Sequence, residues 1–160
     1  MQNKERLLQI KNEETAWTIL IISITCFFLP KVGFNSHSIW YSRFIYQFYH
    51  VNIWHLLINL SVLYEFRRVK FKYWFIAYLI SIPIILYGTK STMGLSGMMF
   101  AIGGMCVGVN NSRLHDNIVF IITYILSYII YSWFGMSNIF LHAYCFYLGQ
   151  IYGIWKNRWY

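Results

Sequence analysis

Five polar side chains sit within runs where an apolar residue would be cheaper to bury. His50, His55 and Asn59 fall in YHVNIWHLLINL, Ser96 in MGLSGMMFAIGG, and His142 in FLHAYCFYLGQIYG. Serine becomes a nucleophile when a base within hydrogen-bond reach takes its proton. His142 is the base, and the same ring can return that proton to a leaving amine. Asn59 and His55, four apart on one helical face, can donate to a developing oxyanion, as can the Ser96 backbone N–H at a helix start. Gly94 and Gly97 flank Ser96 and allow backbone and substrate a close approach. Glu65 and Asp116 are expected at the opposite end, so no carboxylate completes a triad. The chemistry is that of a Ser–His dyad, with aromatic packing holding the imidazole in place of an acid.

Two stripes of small residues must bring the pair together. Gly97, Ala101, Gly104 and Gly108 recur at helical spacing after Ser96, and Cys145, Gly149 and Gly153 recur after His142. Such stripes let two helix backbones approach closely, as helices do in a membrane. The composition extends the same expectation. Hydrophobic residues make up 58% of the 160 positions, aromatics 21% and charged residues only 11%, against about 25% charged in an ordinary domain. That balance excludes a disordered chain and argues for an all-α polytopic membrane protein. Apolar stretches at 16–30, 48–66, 73–87, 93–109, 118–134 and 139–155 predict six transmembrane helices in one domain over 1–160. The aromatic, basic stretch 31–47 reads as an interfacial loop after the first helix. With the N-terminus inside, Lys4, Arg6, Lys11, Arg67, Arg68, Lys70, Lys72, Arg113, Lys156 and Arg158 face the cytosol, and only Lys31, Arg43 and Lys90 lie outside. Both termini are then cytosolic, and the site opens on the extracytoplasmic side.

The other readings of composition are weaker. The net charge of +8 comes from short clusters between apolar runs rather than from a nucleic-acid-binding face. Cys26, Cys106 and Cys145 all lie in apolar runs without ligand spacing, as packing residues do. No HExxH pattern or carboxylate accompanies the histidines, so neither a metal nor any other cofactor is expected. Ser23, Ser61, Ser81 and Ser127 are expected to bond back to their own helices.

In order and spacing, His50-x4-His55-x3-Asn59, Gly94-Leu95-Ser96-Gly97, and His142 followed by Gly149 resemble the motifs of rhomboid intramembrane serine proteases. The resemblance covers roughly Ala16 to Trp155. It implies a compact six-span bundle of the bacterial inner-membrane type, with Ser96 as nucleophile and His142 as base. His55 and Asn59 would support the oxyanion, and His50 would shape the site through hydrogen bonds. It also implies single-span membrane proteins as substrates, with the lipid bilayer as surroundings. Phe100 takes the place where a tyrosine often packs under the catalytic histidine. Three positions depart from the pattern: Arg43 follows Tyr41-Ser42 instead of a tryptophan, Cys145 replaces a glycine, and Leu141 replaces a small residue. A rhomboid-like protein that binds membrane clients without cutting them is the competing expectation, and a small transporter is a third.

Overall fold

The computed structural model describes residues 13–82, 91–109, 118, 119, 122 and 138–157. Its helices are α1 (Glu14–Phe27), α2 (Ser42–Ile45), α3 (Ile53–Glu65), α4 (Phe71–Ser81), α5 (Ser96–Val109) and α6 (Ile139–Asn157), with a 3-10 turn at Tyr46–Phe48. Local chemistry explains where these helices begin. Asn52 is extended, and its side chain accepts the His55 N–H at 2.9 Å, which caps α3. Gly94 holds φ at +109°, a conformation that bars continuous helix through 93–95, so α5 starts at Ser96. At α6, the Asn138 side-chain oxygen accepts the Leu141 N–H at 3.1 Å.

The core gathers Tyr46, Leu63, Trp74, Ala77, Leu95, Ile102, Met105, Leu141 and Cys145, all essentially without solvent contact. α5 and α6 form its spine. They lie side by side and parallel, because Gly104 faces the Phe146 carbonyl while Gly108, one turn on, faces that of Gln150. The stretch 31–47 is structured, as expected, through α2 and a two-way backbone bridge. Phe34 N–H donates to Thr92 O at 2.9 Å, and Thr92 N–H to Phe34 O at 2.8 Å.

The all-α character stands, but the six-transmembrane, rhomboid-like bundle does not. Among the described residues, no helix is long and apolar enough to cross a membrane. A helix of 14 residues, such as α1 or α5, spans about 21 Å, short of a hydrocarbon core of about 30 Å. α6 reaches 19 residues but carries His142, Gln150 and Lys156. The apolar stretches overran the helices because counting apolar residues is blind to backbone geometry. Residues 48–52 are turn and cap, and 93–95 are extended or bent. This corrects the integral-membrane localisation, with its inner-membrane placement, cytosolic termini and extracytoplasmic opening. It also removes the basis for reading 31–47 as interfacial. The expected fifth span lies outside the described residues except at 118, 119 and 122, as do positions 83–87 of the third. Arg67 and Arg68, expected as topology signals, both meet Glu13, at 3.2 and 3.7 Å.

Candidate active site

Ser96 is the first residue of α5, and His142 lies in the first turn of α6. The parallel pairing brings the two helix starts together, leaving Ser96 Oγ 2.7 Å from His142 Nε2. That is a full hydrogen bond between a hydroxyl and an imidazole, the arrangement in which a base can take a serine proton. Phe100, one turn along from Ser96, packs its ring on the imidazole at 4.5 Å between centroids and 31° between planes. No carboxylate hydrogen-bonds either ring nitrogen among the described residues, and the Phe100 face is the group packed on the imidazole.

His55 and Asn59 stand across Gly94 from the helix. A Cβ on Gly94 would come within 2.6 Å of His55 Cε1 and 3.4 Å of Asn59 Nδ2. Glycine is therefore needed there twice, for its positive φ and for the two side chains that press on it. Asn59 Nδ2 donates to the His55 carbonyl at 2.8 Å, which fixes its amide on the helix. The second N–H of that amide is available to donate. Ser96 adds a backbone N–H from a helix start, where the first donors have no partner inside the helix. His55 and Asn59 of α3 thus lie against Gly94, two residues before Ser96 at the start of α5.

His50 lies next to this group. It is completely buried, and its ring stands edge-on to His55 at 5.3 Å. Among the described residues no side chain partners its ring nitrogens, the Phe48 backbone is the polar group that bears on them, and the ring packs on His55. Burial pushes its pKa down to about 3, with His55 beside it adding to the effect and the Phe48 backbone opposing weakly. Burial likewise lowers His142 to about 3 and His55 to about 4. All three rings are neutral at pH 7, the state in which His142 can accept a proton.

Gly97 lies in a packed contact. Its missing side chain would meet Ser81 Cβ at 3.3 Å and Cys145 Sγ at 3.5 Å. Cys145 and Leu141 are both buried and leave the dyad distance intact. Among the serines expected to bond back, Ser61 and Ser81 do so, to Ile58 O and Tyr78 O, both at 2.8 Å. Ser23 is buried with no partner for its hydroxyl, and Ser127 lies outside the described residues. No group of three histidine, cysteine or acidic residues could hold a metal among the described residues.

Two residues near the dyad were not foreseen from the sequence. Asn138 Nδ2 donates to Thr92 Oγ1 at 2.9 Å, four residues before His142 and four before Ser96. A capping residue just ahead of an apolar helix was the available signal for Asn138. Nothing marked Thr92. Comparison with known protein families, with curated proteins and with solved structures finds no match to this chain.

Proposed function

We propose that this chain is a serine endopeptidase acting through a Ser96–His142 dyad. The observation that carries the reading is the 2.7 Å contact between Ser96 Oγ and His142 Nε2, made where α5 and α6 start side by side. His142 takes the Ser96 proton as Oγ attacks the peptide carbonyl. The oxyanion receives hydrogen bonds from the Ser96 N–H, from Asn59 and from His55. His142 then gives its proton to the leaving amine, and water, activated by the same ring, hydrolyses the acyl-enzyme. The ordered motifs around His55, Ser96 and His142, with their likeness to rhomboid proteases, support the same assignment. The proposed substrates are polypeptides with apolar segments of the kind found in membrane-spanning proteins. No cofactor takes part.

The test is cleavage of a fluorescent polypeptide containing such a segment, with Ser96→Ala and His142→Ala alongside the native chain. Loss of cleavage in both variants, with native folding retained, supports the dyad. Cleavage that survives Ser96→Ala removes it. Binding of the segment without cleavage or active-site labelling would point to the client-binding alternative.

A further inference from the structure

The dyad is assembled from the starts of two helices, by residues 46 apart in sequence. Something must hold these two ends in register, because a 1 Å error at such a contact costs a large part of the rate. The glycine contacts fix the helices farther along, at Gly104, Gly108, Gly149 and Gly153. At the dyad itself, a different device spans the gap. Asn138 immediately precedes α6, and its amide works in two directions. The oxygen accepts the Leu141 N–H at 3.1 Å and so caps the helix. The nitrogen donates to Thr92 Oγ1 at 2.9 Å. The Asn138 backbone carbonyl also accepts the His142 N–H at 3.1 Å. Thr92 is itself fixed, with its N–H and C=O both engaged by Phe34, and Gly94 just beyond it donates to the Tyr46 carbonyl at 3.1 Å. One end of the Asn138–Thr92 bond is thus anchored to the backbone that carries His142, and the other to the backbone that leads into Ser96.

We propose that Asn138 and Thr92 are positioning residues, a side-chain clamp that sets the distance between the Ser96 hydroxyl and the His142 ring. The inference rests on the dyad reading above and adds to it a second hydrogen bond, parallel to the first, across the same helix pair. The two tasks of Asn138 can be separated. Serine at 138 still caps a helix but is too short to reach Thr92. Valine at 92 keeps the shape of threonine and removes the acceptor, whereas serine at 92 keeps it.

The experiment follows the rate at which an alkyl fluorophosphonate labels Ser96 in the full chain. In that step Oγ displaces fluoride from phosphorus while His142 takes the hydroxyl proton, so the rate reads dyad geometry directly. Thr92→Val and Asn138→Ser are each expected to slow labelling about 5- to 30-fold, the range corresponding to one or two kcal/mol. The double variant should be no slower than the slower single variant, because both remove the same bond. Thr92→Ser should label at close to the native rate. Thermal unfolding of each variant separates lost geometry from lost folding, and if Thr92→Val does not fold, Asn138→Ser decides. Native-rate labelling in a folded Asn138→Ser variant, or fully multiplicative losses in the double variant, would overturn the clamp. Failure of the native chain itself to label at Ser96 would instead overturn the dyad, and the clamp with it.

Discussion

The α5–α6 pair is built in two ways along its length. Near the helix starts, polar side chains face one another: Ser96 against His142, Asn138 against Thr92, and Asn59 and His55 across Gly94. Farther along, contact is backbone to backbone. A Cβ on Gly104 would run into the Phe146 carbonyl, and one on Gly149 into that of Ala101. The glycine half has no adjustable parts, so it fixes how the helices lie. The polar half can be altered atom by atom without separating the helices. The glycine half sets how the two helices lie and the polar half sets what meets at their starts, so mutations in the two halves should have different signatures.

The largest expected effect is in the polar half. Ser96→Ala and His142→Ala should each lower turnover by about 10⁴-fold or more while leaving the unfolding midpoint close to native, as in other serine dyads and triads. Asn59→Ala should cost about 10²–10³ in kcat if its amide donates to the oxyanion; an unchanged kcat would remove that role. In the glycine half the readout changes to stability. Gly104→Ala should destabilise by about 1–3 kcal/mol, because the backbones must move apart to admit the methyl group. Gly103 is the control on the same helix: an added Cβ there meets nothing within 4 Å. Gly103→Ala should be neutral or stabilise by up to about 1 kcal/mol, since alanine is the better helix former. Equal losses at 103 and 104, measured by chemical denaturation, would break the proposed division between the halves.

The remaining effect concerns pH. Burial holds His50 and His142 at about 3 and His55 at about 4, while the unfolded chain binds these protons near pH 6.5. Between those values the unfolded state carries more protons, so stability should fall as pH drops below about 6.5 and level off above it. His50→Gln removes one of the three groups and should flatten that acid slope. A slope identical to the native one would show that His50 does not contribute.

How much of this was legible in the sequence divides along physical lines. Ser96, His142 and the two small-residue stripes were readable because helical spacing is periodic and the stripes have a single plausible use. The overlong spans came from the opposite situation. Val51 and Leu95 look apolar in a row of letters, but Asn52 caps a helix beside one and Gly94 turns the chain beside the other. The stripes anticipated Gly97 against Cys145, but its contact with Ser81 was hidden because Ser81 comes from a distant helix. The Asn138–Thr92 bond was invisible for the same reason: a single side-chain contact across 46 residues leaves no local pattern. Conversely, the hydrogen-bonding role of His50 came from the resemblance alone, and its edge-on packing against His55 left no mark in the spacing.

The bridge between Phe34 and Thr92 also bears on how the protein comes into being. It joins a segment ahead of α2 to the lead-in of α5, and the dyad bond then reaches another 46 residues forward to α6. Both contacts close long loops, and loop closure must occur before either contact can repay its entropy. Neither half of the site can therefore mature locally. Ser96 remains an ordinary, unactivated hydroxyl on a growing chain until distant parts have condensed around it. The proposed peptidase, assembled this way, would be harmless to its own unfolded polypeptide, because its reactivity would be the last property to appear.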